Sequence, residues 1–151
     1  MGTPHMPTQH MSDEADIRQR IDILVQAVRE MDLERVKPIY APEMVSFDIV
    51  PPLQHLRAEA KWKNWADVFT AYQHPLGYEI RNLMITVDGN VAFGHSLNRI
   101  SGTLMNGDRG EYWVRWTACF RKIDGSWLIA HDHVSVPLDF DNGQALLTLE
   151  P

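Results

Sequence analysis

The chain has 151 residues, of which 44% are hydrophobic and 23% are charged, as is typical of one compact domain. Its formal net charge of −6 argues against nucleic acid as a partner, because the 14 Lys and Arg residues form no basic stripe. No apolar run approaches the roughly 20 residues that cross a bilayer, so we expect no membrane partner.

The first part of the chain predicts helices. Residues 1–12 mix Pro, Thr and His without periodicity, and we interpret them as a disordered segment or a cloning remnant. Ser12 is a candidate N-cap, and apolar residues at helical spacing predict a first helix from there to about Met31. A shorter helix is predicted over residues 33–40, although Pro38 lies within it. Residues 44–50 predict a strand that ends at Pro51 and Pro52.

A third helix is predicted over residues 57–72. Its large apolar side chains recur at spacings of three and four, so they share one face: Trp62, Trp65, Val68, Phe69 and Tyr72. The plain interpretation is that this face belongs to the hydrophobic core. The alternative is that the tryptophans form the wall of a pocket, which would suit an apolar ligand that contains a ring.

From Tyr78 onward the pattern alternates with a period of two and predicts strands over residues 79–87, 91–103, 111–123 and 127–136. Glycine-containing turns such as Asp88-Gly89 and Asp124-Gly125 join these strands, which indicates an antiparallel meander. Helices followed by a sheet predict an α+β domain over residues 13–137 with a tail over 138–151. The single cysteine, Cys119, cannot form an internal disulfide, which favours the cytoplasm.

The strand over residues 111–123 has two different faces. An apolar row is predicted to face the helices: Val114, Trp116, Ala118 and Phe120. The opposite row, with Trp113, Arg115 and Thr117, is left for solvent or for a second subunit.

The strand over residues 127–136 carries His131, Asp132 and His133 where apolar side chains are normal. Alternation places the two histidines on one face and Asp132 on the other, although a single bulge would reverse the register. Ionisable groups in such a position need partners, so this cluster predicts a polar pocket wall or a hydrogen-bond network. The two histidines have the geometry of a metal pair but lack further ligands, and we expect no metal.

Four short strings occur in order along residues 13–137: M-D-L at 31–33, Y-A-P-E at 40–43, F-R-K-I-D-G-S-W at 120–127 and H-D-H-V-S at 131–135. Together they resemble the NTF2-like superfamily, in its SnoaL-like and ketosteroid-isomerase-like branch. The resemblance implies a cone of three helices packed on a curved antiparallel or mixed sheet.

The resemblance implies a general base at Asp48, at the mouth of the cone. It does not carry over the two donors that bind the enolate in ketosteroid isomerases, because their positions fall on Leu24 and on or next to Ala118. Losing such a donor costs roughly 3 to 4 kcal/mol of transition-state stabilisation in comparable sites. Steroid isomerisation by that mechanism is therefore not expected.

The resemblance also makes one face of the strand 91–103 the cavity face, with Phe93, His95, Leu97 and Arg99. His95 would then shuttle a proton and Arg99 would hold an anionic group. Alternation along the last strand, counted from the pattern of the same family, implies that Asp132 faces the cavity and that the two histidines face outward.

These observations lead to two hypotheses. The first is a small enzyme without a cofactor, of isomerase or lyase type, that transfers protons on an apolar carbonyl compound in an isomerisation, dehydration or cyclisation. Its catalytic residues would be Asp48, His95 and Asp132. The second is a module of the same fold that binds a small ligand or dimerises without catalysis. A homodimer is expected in both cases. The residues predicted to contact the substrate are Arg99, Trp62, Trp65, Phe93, Leu97, Trp116, His131 and His133.

Overall fold

The structure, a computed structural model, describes residues 7–151. Three α-helices precede most of the strands: α1 (Pro7–Arg29), α2 (Leu33–Val36) and α3 (Ala58–Ala71), with a 3₁₀ turn at Lys37–Ile39. The third helix agrees with its sequence prediction to one residue at either end. The helix could be predicted because its apolar residues recur at helical spacing within one short segment of the sequence.

Six strands form one mixed sheet in the order β2-β1-β6-β5-β4-β3. Strands β3 to β6 are an antiparallel meander, and β1 pairs with β6 in parallel. The sheet comprises β1 (Tyr40–Phe47), β2 (His55–Leu56), β3 (Gly77–Asp88), β4 (Val91–Thr103), β5 (Arg109–Ile123) and β6 (Ser126–Ser135), while β7 (Leu138–Asp139) and β8 (Gln144–Ala145) form a separate hairpin. The α+β prediction, with three helices on a curved mixed sheet, is confirmed.

Three predicted boundaries near the start of the chain are wrong. Helix α1 begins at Pro7, so Ser12 lies inside it and does not cap it, while residues 1–6 of the proposed disordered segment lie outside the described residues. The second helix stops at Val36, because Pro38 has no N–H to continue the α-helical pattern and lies in the 3₁₀ turn. Strand β1 begins at Tyr40 rather than at 44, since its pairing with β6 already starts there.

The core lies between the helices and the inner face of the sheet. Helix α1 contributes Ile17, Ile21, Leu24 and Val28, each 3% exposed or less. Asp13, on the same helix, is also buried and accepts hydrogen bonds from Trp127 Nε1 at 3.2 Å and Lys122 Nζ at 3.1 Å. These bonds fix helix α1 to the hairpin between β5 and β6.

A bulge in β6 sets which side chains of that strand point inward. Cys119 of β5 pairs with His131, but the next residue, Phe120, pairs with Ile129, so Ala130 is an extra residue in the ladder. Ile129 and Asp132 are both buried although they are three positions apart. The bulge therefore turns Asp132 inward.

Candidate functional site

A cavity of about 470 Å³ lies between helix α3 and the inner face of the sheet. This volume falls within the range of small-molecule sites, and its wall is mainly aromatic and aliphatic. The residues that line it include Leu24, Tyr40, Asp48, Ile49, Val50, Pro51, Lys61, Asn64, Trp65, Val68, Ala71, Tyr72, Tyr78, Asn98, Ile100, Tyr112, Val114, Trp116, Asp132 and Val134.

One wall of the cavity carries a buried ion cluster that we call the Asp–Lys–Asp triad: Asp48, Lys61 and Asp132. The Lys61 ammonium lies 2.9 Å from Asp48 Oδ2 and 3.0 Å from Asp132 Oδ2. The side chains of Lys61 and Asp132 are 4% and 1% exposed, whereas Asp48 is 10% exposed. All three line the cavity, and Asp48 is the most exposed member of the triad.

The pairing of β1 with β6 brings the two acids together. Ser46 and Asp132 are neighbours across the two parallel strands, and Asp48 follows two residues after Ser46. The Ser46 hydroxyl donates a hydrogen bond to Asp132 Oδ1, and Trp116 Nε1 donates to Asp132 Oδ2 at 3.3 Å. These bonds hold the Asp132 carboxylate in place.

Both oxygens of Asp48 are hydrogen-bonded. Oδ1 accepts the backbone N–H of Ile49 at 2.8 Å, and Oδ2 accepts Asn64 Nδ2 at 2.9 Å as well as Lys61. Burial alone would raise the pKa of Asp48, but the charge of Lys61 and these hydrogen bonds lower it below its ordinary value. Asp48 is thus an ionised carboxylate at neutral pH.

Lys61 responds in the opposite direction to the same contacts. Burial would lower the pKa of Lys61, but the charges of Asp132 and Asp48 and the hydrogen bonds to them raise it above its ordinary value. The ammonium therefore stays protonated, which excludes Lys61 as a nucleophile at neutral pH.

Two buried tyrosines face the same cavity. Trp65 Nε1 donates to the Tyr40 hydroxyl oxygen at 2.8 Å, and Asn98 Nδ2 donates to the Tyr78 hydroxyl oxygen at 3.0 Å. Burial raises the pKa of both hydroxyls, and the charge of Asp132 raises it further. Burial also raises the pKa of Tyr112, a third tyrosine of the wall, to about 12.

The structure brings four of the predicted site residues to the cavity: Asp48, Asp132, Trp65 and Trp116. The register that the sequence left open is resolved, because Asp132 points inward and the two histidines do not. Trp62 is half-buried beside the core, with Lys37 Nζ 5.1 Å from its ring centroid, and does not line the cavity.

The predicted cavity face of β4 is wrong. Phe93 is 48% exposed and His95 is exposed, while Leu97 and Arg99 are half-buried on the same outer face. The inner row instead consists of small or polar residues and one isoleucine: Ala92, Gly94, Ser96, Asn98 and Ile100. These residues pair with the inward apolar row of β5, and of the five Asn98 and Ile100 line the cavity.

Arg99 cannot serve as the predicted anion holder inside the cavity. Its guanidinium lies on the outer face, 3.2 Å from Glu79 and 3.0 Å from Glu111. His131 and His133 also lie on the outer side, where both rings meet Phe47 edge-on. His131 Nδ1 is 2.6 Å from the Val45 carbonyl oxygen.

Two predicted substrate contacts border a different, more open groove on the outer face. Phe93 and His131 line it together with Cys119, whose thiol has a pKa raised by burial and by the charge of Asp132. A raised pKa makes the thiol a poor nucleophile. Within residues 7–151, no group of three or more His, Cys, Asp or Glu side chains is arranged to hold a metal ion.

The sequence patterns did not predict five residues of the site: Lys61, Asn64, Ser46, Tyr40 and Tyr78. A signal existed for Lys61, which falls on the apolar stripe of helix α3 between Ala58 and Trp65 and is nevertheless charged. A lysine in such a stripe is almost never buried unless it is paired. Nothing local distinguishes the tyrosines, because their roles depend on partners from other elements.

Comparison with known proteins gives one family and a consistent fold. Residues 17–139 match the SnoaL-like domain family. An NTF2-like protein of unknown function from Pseudomonas putida KT2440 is 30% identical, covers 93% of this chain and 98% of its own, and superposes with a TM-score of 0.84. No curated protein matches the sequence.

More distant structures share the fold alone. A proposed scytalone dehydratase from Novosphingobium aromaticivorans is 12% identical over 83% of this chain and 84% of its own, with a TM-score of 0.74. The association domain of C. elegans CaMKII is 15% identical over 84% of this chain and 98% of its own, with a TM-score of 0.66. Among residues 7–151, no helix is both long enough and apolar enough to span a membrane.

Proposed function

We propose the following function on the premise that this chain belongs to the SnoaL-like domain family, in the NTF2-like superfamily. The protein is a small-molecule enzyme that needs no cofactor and transfers a proton on an apolar carbonyl compound bound in the cavity. Asp48 acts as the general base. The observation that supports this function is that Asp48, an ionised carboxylate, lines a mainly aromatic and aliphatic cavity of about 470 Å³.

The chemistry requires one base and a polarised carbonyl group. Asp48 takes a proton from the carbon next to the carbonyl, and the electron pair of that C–H bond moves to give an enolate. Where the compound has a C=C bond between its β- and γ-carbons, the enolate extends over that bond, and returning the proton to the γ-carbon moves the double bond next to the carbonyl and isomerises the compound. Alternatively, the enolate expels a β-hydroxyl group, which leaves as water after accepting that proton, and the compound is dehydrated.

Lys61 and Asp132 are positioning residues in this mechanism. Lys61 bonds both carboxylates at 2.9 and 3.0 Å, and Asp132 is itself held by Ser46 and Trp116. The base is thus attached to β6 and helix α3 at once, which limits its freedom before the substrate binds. The names of two structural neighbours refer to dehydratases, which supports the dehydration variant of this chemistry.

The test is solvent deuterium exchange into 2-tetralone, a bicyclic ketone with acidic hydrogens next to its carbonyl, followed by proton NMR. We expect the wild-type protein to accelerate exchange and Asp48→Asn to lose at least about 100-fold of that acceleration, since general bases contribute this much or more. The matched control is Glu43→Gln, which removes an exposed carboxylate from strand β1. Equal rates for Asp48→Asn and the wild-type protein would contradict the assignment of the base.

A second variant tests His95, which was predicted from the sequence to be a catalytic residue. His95 lies on the outer face of β4, away from the cavity lining. His95→Ala should therefore exchange 2-tetralone at the wild-type rate. A large loss in this variant would show that the reaction takes place at another site.

The second candidate is a ligand-binding module without catalysis. Its supporting observation is that both oxygens of Asp48 already accept hydrogen bonds, which weakens the carboxylate as a base. In this case 2-tetralone binds, as quenching of tryptophan fluorescence would report, but its exchange rate stays at that of the buffer.

We also propose that two copies of the chain pair through the outer face of the sheet. This face exposes apolar surface, with Met84 at 61% and Phe93 at 48%, beside the mixed row that carries Trp113, Arg115 and Thr117. Light scattering coupled to size-exclusion chromatography should give twice the chain mass at micromolar concentration. Phe93→Lys should shift the mass toward the monomer, and a wild-type monomer would contradict the pairing.

A further inference from the structure

We propose that His55 is a positioning residue for Asp48, which it holds from outside the cavity through the side-chain amide of Asn64. The inference rests on the proposed function, because it concerns the base of that reaction. It adds a residue that does not line the cavity and explains how a base on a loop is kept in place.

Asp48 lies at the start of the loop that joins β1 to β2, residues 48–54. Loops are more mobile than the strands they connect, so a catalytic group on a loop needs further contacts to hold it. His55 is the first residue after this loop and pairs with Ser46 of β1. Its side chain is buried, at 6% exposure, so its ring nitrogens need partners within the protein.

The first partner of the imidazole ring determines which nitrogen carries the proton. His55 Nε2 lies 2.9 Å from the carbonyl oxygen of Val50, within the same loop. A carbonyl oxygen only accepts, so Nε2 carries a proton and donates it. This bond ties the loop to β2 at a point two residues after the base. In the neutral ring, Nδ1 is then left with a free lone pair.

The second partner is Asn64 on helix α3. Its side-chain nitrogen lies 2.9 Å from Asp48 Oδ2 and 3.4 Å from His55 Nδ1. An ionised carboxylate only accepts, so the amide atom that faces Asp48 is the nitrogen and not the oxygen. The amide nitrogen has two protons, one for each partner. This pattern fits the neutral imidazole, because a proton on Nδ1 would face the amide protons.

The contacts therefore run from the ring of His55 through Asn64 to the base. Without the acceptor at Nδ1, only Asp48 orients the amide, and an amide that rotates no longer donates to the base. Burial raises the pKa of Asp48, whereas the charge of Lys61 and the hydrogen bonds to the carboxylate, including that from Asn64, lower it. Weakening the bond from Asn64 should therefore raise this pKa.

A replacement of residue 55 leaves the other groups around the base in place. Some of these share the ion cluster of Asp48 and others respond to its charge: Lys61 on α3, Asp132 on β6, Tyr40 on β1 and Tyr112 on β5. A change in the pKa of Asp48 in such a variant therefore reports the contact between His55 and Asn64.

Two variants separate the two contacts of the ring. In His55→Gln, the amide nitrogen reaches the position of Nε2 and can still donate to Val50, but a methylene group replaces Nδ1. In His55→Asn, the amide oxygen takes the position of Nδ1 and can still accept from Asn64, but no atom reaches Val50. Each variant is thus the matched control for the other.

The first measurement is the pKa of Asp48, from a carbon-13 NMR titration of its carboxyl group. We expect this pKa to rise by about half a unit to one unit in His55→Gln, because one hydrogen bond changes an equilibrium about three- to tenfold. In His55→Asn it should stay at the wild-type value. A residue that only filled space would affect both variants alike.

The second measurement is the pH dependence of deuterium exchange into 2-tetralone. Asp48 must be ionised to accept a proton, so the acid limb of the exchange rate reports its pKa. In His55→Gln this limb should move to higher pH by the same amount. In His55→Asn it should stay in place, while the looser loop raises the 2-tetralone concentration at half-maximal rate about threefold.

The wild-type protein tests the inference even if a variant fails to fold, which thermal unfolding would reveal. Nitrogen-15 NMR of the His55 ring at pH 7 should show Nε2 protonated and Nδ1 without a proton. A proton on Nδ1, an unchanged pKa of Asp48 in His55→Gln, or equal changes of this pKa in the two variants overturns the inference.

The results also separate this inference from the proposed function. A raised pKa of Asp48 in His55→Gln, without exchange in the wild-type protein, keeps the role of His55 toward the carboxylate and removes the enzyme. Exchange that depends on Asp48, with the same acid limb in His55→Gln and the wild-type protein, keeps the enzyme and removes the inference.

Discussion

The inner and outer faces of the sheet each carry a cation between two carboxylates, but they differ in burial. Lys61 bridges Asp48 and Asp132 at 2.9 and 3.0 Å on the cavity wall. On the outer face, Arg99 bridges Glu79 and Glu111 at 3.2 and 3.0 Å. The inner side chains are at most 10% exposed, whereas the outer ones are between 34% and 40% exposed.

The two clusters have similar nitrogen–oxygen distances but contribute differently to the stability of the fold. Water and salt screen the outer cluster, so its members are replaceable. The inner cluster has exchanged water for its own partners, and removing one member leaves an uncompensated charge in the interior. Burial, rather than distance, decides how much each ion pair matters to this fold.

The largest expected effect tests the inner cluster directly. Lys61→Met removes the cation and leaves the buried carboxylates of Asp48 and Asp132 without their shared partner. We therefore expect a loss of about 3 to 5 kcal/mol in the free energy of unfolding. Urea denaturation at pH 7 measures this loss. The matched control on the same helix is Lys63→Met, whose partner Asp67 is 2.8 Å away but whose side chain is 74% exposed.

The control should change stability by less than about 0.5 kcal/mol. Comparable losses in the two variants would mean that burial does not distinguish the clusters.

An intermediate effect is expected from one hydroxyl group on the inner face. Ser46→Ala removes the donor to Asp132 and leaves part of a buried carboxylate without a partner, at a cost of about 1 to 3 kcal/mol. Thermal unfolding measures the change. Ser135→Ala is the outer-face counterpart, since the Ser135 hydroxyl meets Arg115 Nε at 3.1 Å on the exposed side. A greater loss from Ser135→Ala than from Ser46→Ala would reverse the comparison.

The pH dependence of stability should follow the inner carboxylates. The pKa values of Asp13 and Asp48 are lowered in the folded protein, so each carboxylate binds protons more readily after unfolding. Their contribution is therefore complete above the unfolded pKa of about 4 and is lost as the pH falls through the folded value. Urea titrations between pH 7 and pH 3 should show this loss, and Asp13→Asn should make the profile flatter. A wild-type profile that rises toward acid would contradict the assignment.

The smallest expected effect concerns the outer cluster. Arg99→Met removes the cation that bridges Glu79 and Glu111, but both carboxylates stay in contact with water. The free energy of unfolding should therefore fall by about 1 kcal/mol or less, and by still less in 1 M salt. The same urea measurement, at two salt concentrations, tests it. A loss of unfolding free energy as large as that of Lys61→Met would mean that the outer cluster stabilises the fold as much as the inner one.

Much of the fold could be predicted from the sequence, because its signals are local. The apolar stripe of helix α3, the alternation in β3 to β6 and the glycine turns between them specify element type without reference to distant residues. The inward row of β5 was also predicted correctly, since Trp116 and Phe120 are too large and apolar for the exposed face.

Local sequence signals did not reveal which face of β4 points inward. Alternation reveals two rows but not which one points inward, and the row with Phe93 and Leu97 is the more apolar. Pairing with β5 places the small row inside, with Gly94 beside Ala118 and Ser96 beside Trp116. The small inner residues of β4 lie beside the large inward side chains of β5, Trp116 and Phe120, so the usual rule that large apolar residues point inward fails on this strand.

The sequence by itself determined the order of the elements and the polar cluster in β6, because periodicity and composition are properties of short segments, whereas Asp48 was predicted from the family resemblance. Only the tertiary structure decided which charges meet. The bulge at Ala130 turns Asp132 inward, and helix α3 then supplies Lys61 between two acids from different strands. The free energy of a buried charge depends on its partners in space, and no local pattern specifies them.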